Sequence, residues 1–120
     1  MKLTNEEKKY TLNEYLRHIV HMTDKEYQTR VWIHAKGPEC QAFGDAVCDF
    51  FDIGDPILDQ YKDFGLTDKQ YQLLKKFRDA FRIFSDDNDF PELFIHTPEW
   101  TKITEMAKEV LKAFNYQKKR

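Results

Sequence analysis

The chain has 120 residues, 41% of them apolar and 15% aromatic, with ten Phe and a formal net charge of −2. That size and balance fit one compact domain spanning 1–120 with a Phe-rich core, and they exclude a disordered tail. They also exclude a broadly basic nucleic-acid binder, and no apolar run approaches the roughly 18 residues of a membrane span.

Met1–Tyr10 is polar, so no signal peptide is expected there. Cys40 and Cys48 are the two cysteines. On one helix they would stand about 12 Å apart, too far for a disulfide. Free thiols in a reducing cytoplasm are the expectation.

A recurring pattern marks the helix starts. Thr11-x-x-Glu14, Thr23-x-x-Glu26 and Thr67-x-x-Gln70 each read as a capping box, with an apolar residue before the Thr and a Tyr after the acid or amide. The first helix is predicted over Leu12–His21, with Leu12, Tyr15, Leu16, Ile19 and Val20 at helical spacing. Thr4-x-x-Glu7 could open a shorter turn before it, and residues 1–10 are expected to be largely frayed. The second helix follows Thr23 and should stop near Lys36, at Gly37-Pro38, with Tyr27, Val31 and Ala35 as its apolar stripe. A strand over Val31–Ile33, paired with Leu93–Ile95, is the alternative.

A third helix is expected over Glu39–Ile53, or from Gly44-Asp45 onward, burying Phe43, Val47, Phe50 and Phe51. Gly54 reads as its C-terminal stop. Asp55-Pro56 then reads as the cap and first turn of a separate short helix that ends at Gly65. The next helix follows Thr67 to about Phe84, with Leu74, Phe77, Phe81 and Phe84 inward. Ser85–Asp89 reads as a loop and Phe90–Ile95 as a one-turn connector. Thr97-Pro98-Glu99 opens the last helix, which buries Trp100, Ile103, Ala107, Val110, Leu111 and Phe114. Asn115–Arg120 is read as a frayed basic tail. The class is all-α: five or six helices, orthogonal or bundle-like.

Charge is uneven along this chain. Residues 37–61 hold six acids and no Lys or Arg, and residues 83–101 hold five acids and none. Residues 62–82 hold six bases against three acids. On a helix, Asp45, Asp49 and Asp52 fall on one face, and Asp55 and Asp59 extend it. Like charges four apart cost about 0.2–0.5 kcal/mol, and acids near a helix C-terminus oppose its dipole. Local stability does not favour that pattern. Two readings follow: a negative surface for a basic protein partner, or a solvated face balanced within the fold by the basic helix.

Other constellations are thinner. Glu14, His18 and His21 share a helical face and make the candidate metal site, but the pattern lacks the acid of HExxH and a further ligand. Asp86-x-Asn88 fails the calcium-loop pattern, because Pro91 and Thr97 stand where Gly and Glu are needed. Ser85, the only Ser, has no nucleophile context, and no phosphate loop or dinucleotide fingerprint occurs. Lys69, Lys75, Lys76, Arg78 and Arg82 are interrupted by Asp79, so nucleic acid is not expected as a partner. The reading is a non-catalytic cytoplasmic interaction protein of the inhibitor, immunity or antitoxin type. It needs no cofactor or membrane and contacts a basic partner through Asp45, Asp49, Asp52, Asp55 and Asp59. The rivals are a small metal-binding protein or enzyme and a domain that pairs with its own copy.

Overall fold

The computed structural model describes residues 3–37 and 42–116, and all its regular elements are helical. They are α1 (Asn5–His21), α2 (Lys25–Tyr27) running into a π-helical turn (Gln28–Ile33), α3 (Phe43–Asp59), α4 (Asp68–Asp87), α5 (Pro91–Phe94) and α6 (Pro98–Ala113). The four long helices pack in a ring: α1 on α3, α3 on α4, α4 on α6, and α6 back on α1. α5 packs on the π turn.

The capping grammar holds at some starts and fails at others. Thr67 and Gln70 exchange both bonds of a capping box at the start of α4. Thr97 caps α6 through the Trp100 N–H, with Pro98 at the first helical position. At the first helix the working box is Thr4–Glu7. The helix therefore begins at Asn5, not Leu12, and residues 5–10 are helical. Thr11 lies inside it, where one Thr costs only a few tenths of a kcal/mol in propensity. At the second helix the cap is Asp24, whose carboxylate accepts from the Tyr27 N–H. The Thr23 hydroxyl instead donates back to the Val20 carbonyl, at 2.7 Å.

Val31–Ile33 is helical, not extended, because the π turn carries bonds five residues apart, such as His34 N–H to the Thr29 carbonyl. The turn buries Gln28, Val31 and Trp32. It closes at Ala35, which takes the left-handed conformation at φ 51° and stands exposed, so Ala35 does not extend the apolar stripe. At the far end of the chain Asn115 (φ 52°) caps α6 in the same way, and the Tyr116 N–H returns to the Leu111 carbonyl. Gln117–Arg120, Pro38 to Gln41, Met1 and Lys2 lie outside the described residues.

The main departure is in the middle. α3 does not stop at Gly54; it runs unbroken to Asp59 with Pro56 inside. Gly54 is buried, and a Cβ there would lie 2.5 Å from the Tyr15 ring and hydroxyl. The glycine is needed for close approach of α1, not for a turn. Pro56 sits on the exposed side of α3, where the Asp52 carbonyl it leaves without a helical donor can bond to water. Likewise α4 passes Phe84 and ends at Asp87, so the loop shrinks to Asn88 and Asp89.

Trp100 is fully buried at the centre of an aromatic cluster. Phe94 lies 4.9 Å from it and Phe84 5.3 Å, and Phe43 meets Phe94 at 4.9 Å. Phe50 links this cluster to Phe81 and Phe77 and stacks on Tyr15 at 4.9 Å. Val47 and Phe51 are only half-buried, against the expectation of a fully inward face. One polar side chain enters the cluster: Gln28, 0% exposed, accepts from the Trp100 indole N–H at 3.1 Å and donates to the His21 carbonyl at 2.8 Å.

Three substitutions test this packing. Gly54→Ala gains about 1 kcal/mol in helix propensity, but pushing a methyl into the immobile Tyr15 ring costs about 1–3 kcal/mol, so chemical denaturation should show a net loss. Tyr15→Phe should do the reverse. The Tyr15 hydroxyl is buried with no hydrogen-bond partner among the described residues, so removing it should leave stability equal or raise it by about 1 kcal/mol; a marked drop in Tm would contradict this. Gln28→Leu strands the buried Trp100 N–H and should cost about 1–3 kcal/mol, read from the same denaturation curves.

Candidate functional site

The unbroken α3 places all five predicted acids on one helix. Asp45, Asp49, Asp52 and Asp59 are exposed and Asp55 is half-exposed. Phe43, Ala46, Phe50, Gly54, Ile57 and Leu58 fill the opposite, buried side. The exposed Cys48 stands within the acidic face. At about 1.5 Å rise per residue, the face from Asp45 to Asp59 is about 21 Å long.

The five acids are not equivalent. Asp55 is turned toward α4: Arg78 bonds it at 3.0 Å and Arg82 at 3.5 Å. Arg78 also holds Asp79, and the Arg82 guanidinium lies 4.3 Å over the Phe51 ring. Here the internal-balance reading applies, and Asp55 works as a clamp between α3 and α4. Asp45 accepts from the Ala42 N–H at 3.3 Å, an end-of-helix contact. The charge of Asp49 acts on His18 across the α1–α3 interface. Among the described residues, Asp52 and Asp59 make no ion pair. Asp59 closes a helix whose last turn holds no base, so its charge opposes the helix dipole.

The candidate metal ligands do not converge. The Glu14 carboxylate is held by Arg17 at 2.8 Å, and this bond lowers its pKa. The His18 and His21 rings are 6.1 Å apart, and His21 stacks on Tyr27 at 3.8 Å. Among the described residues no three His, Cys, Asp or Glu side chains are arranged to hold a metal ion. His34 and His96 are both exposed. The Ser85 hydroxyl donates to the Arg82 carbonyl.

Balance of the acids by the basic helix is one of the two sequence readings, without the pair being named, and the buried Gln28 is not foreseen. The Asp55 clamp was signalled only by two arginines four apart, Arg78 and Arg82, on the helix after the acids. The buried Gln28 had no local signal, since its partner Trp100 is 72 residues away. No described helix is long and apolar enough to cross a membrane.

His18 supplies a pH test. Burial pulls its pKa below the ordinary 6.5, Arg17 adds to that, and Asp49 and Glu14 only partly offset it. The unfolded state therefore takes up a proton first. Stability contributed by neutral His18 is complete above the ordinary value and declines as pH falls through it. His18→Leu should flatten the slope of unfolding free energy between about pH 7 and 5.5; an unchanged slope would assign it to other groups.

Comparison with protein-family models finds no match, and comparisons with curated proteins and with solved structures find none either.

Proposed function

We propose that this chain is a non-catalytic interaction protein that binds a basic protein partner through the acidic face of α3. An inhibitor, immunity protein or antitoxin that covers a basic active site has this physical form. The observation that supports the reading is the unbroken α3, with Asp45, Asp49, Asp52 and Asp59 displayed along one exposed side and Asp55 anchoring the helix to α4. Asp52 and Asp59, which make no ion pair among the described residues, and the setting of Asp59 against the helix dipole favour an external cation. Such a face raises the on-rate of a basic partner and suppresses acidic ones. The exposed Cys48 thiol suits a reducing compartment, and the cytoplasm is the proposed location.

The experiment is capture from the native host at low salt, followed by a salt gradient. A basic protein should bind and then elute as salt rises. The Asp52→Lys, Asp59→Lys variant should fold normally, since neither residue makes an ion pair among the described residues, and should hold that protein at least about tenfold more weakly. Equal retention by the variant would sink the proposal.

Lys69, Lys75 and Lys76 are exposed on α4 and could meet the same acids in a second copy of the chain. Sedimentation across a salt series separates the two readings: a constant monomer mass leaves only the heterologous partner.

A further inference from the structure

On the flank of α4 away from α3, a groove of about 500 Å³ opens between α4, α5 and α6. Its floor is apolar, formed by Phe84, Phe94 and Ile103 of the core. Its lips are apolar as well: Ile83 is 69% exposed and Leu93 75% exposed, and Met106 is half-buried beside them. Isolated exposed apolar residues are ordinary, but two large ones lining one depression with a core floor are not.

The charge around this groove is mainly negative. Asp87 and Glu99 line it, and Lys102 is the single base among the lining residues. Asp86, Asp89 and Glu92 are exposed on the adjoining turns, within the stretch 83–101 that carries no Lys or Arg. Asp86 and Asp87 occupy the last turn of α4, which holds no base. Each costs about 0.3–1 kcal/mol against the helix dipole, so they do not serve α4 itself. They are also not calcium ligands of a loop, because both are helical.

We propose that this groove docks a basic amphipathic helix of a partner protein. Apolar side chains of that helix would rest on Ile83, Leu93 and Met106, with its Lys or Arg side chains over Asp87 and Glu99. Helix-in-groove recognition needs these two components, an apolar trough and a complementary rim. The mainly acidic rim, Asp87 and Glu99 against the one Lys102, favours a cationic helix over an anionic one and over an anionic membrane surface. The inference stands apart from the α3 reading, because the crest of α4 separates the two surfaces.

The probe is a fluorescein-labelled peptide of about 18 residues, about five helical turns, with Leu and Lys at amphipathic spacing. Its controls replace every Lys by Glu, or every Leu by Ser. Binding is followed by anisotropy at moderate salt, and methyl resonances of the protein locate the site. The Leu/Lys peptide should shift the methyls of Ile83, Leu93, Ile103 and Met106 and bind at least about tenfold more tightly than either control. The Ile83→Gln, Leu93→Gln variant changes only exposed side chains and should weaken it at least about tenfold. The Asp52→Lys, Asp59→Lys variant should leave this binding in place. Undiminished binding by the groove variant, equal binding of the Leu/Glu peptide, loss only in the α3 variant, or no binding of the Leu/Lys peptide would each overturn the proposal. Methyl shifts that grow with protein concentration in the absence of peptide would assign the groove to a second copy and overturn it too.

Discussion

The contact between the Tyr15 ring and Gly54 is the constraint on which the rest of the structure depends. It lets the backbones of α1 and α3 approach closely, because a side chain at position 54 would occupy the space of the ring. Tyr15 then stacks on Phe50, and Phe50 meets Phe77 and Phe81 of α4. Through that chain of rings one glycine sets where two further helices sit. The Tyr15 hydroxyl, without a hydrogen-bond partner among the described residues, shows that packing outranks hydrogen bonding at this point. The ring fills a slot that its polar end cannot use.

Long helices and inward faces were legible wherever local signals agreed. Thr67 with Gln70, and Thr97 with Pro98, start helices as written, because cap, first turn and apolar stripe all name the same residue. Thr11 misled because a capping box is a local pattern, and the same residues are tolerated inside a helix already begun at Thr4. Gly54, Asp55 and Pro56 misled more seriously. Glycine and proline read as punctuation when only neighbours are considered. Here the glycine answers a ring from another helix, and the proline faces water. The helical course through Val31 and the burial of Tyr27 and Val31 were legible, but the π geometry was not, since Gln28 finds its partner in Trp100, 72 residues away.

The candidate acidic face was legible as a set of residues but not as a surface. Sequence spacing put Asp45, Asp49 and Asp52 together and treated Asp55 and Asp59 as an extension on another helix. The fold joins all five on α3, then withdraws Asp55 into the arginine clamp. An ion pair at this exposure contributes only about 0–1 kcal/mol, but it joins α3 to α4 at Asp55. The four remaining groups lie in different fields: Asp45 in the first turn of α3, Asp49 near a buried imidazole, Asp52 in open solvent, Asp59 at the negative end of a helix.

An α3 that continues past Gly54 holds its five carboxylates on a single helix. With the helix stapled to α1 by a glycine contact and to α4 by an arginine fork, its carboxylates cannot be redistributed to suit whatever approaches. Their pitch, one charge every turn or so, is built in. A flexible polycation gains little from such regularity, because it could follow any arrangement of charge. A partner whose own cations are held at a matching interval loses no conformational freedom on meeting it. If α3 binds a basic partner as proposed, a regular set of carboxylates on one helix favours a stiff partner over a flexible one.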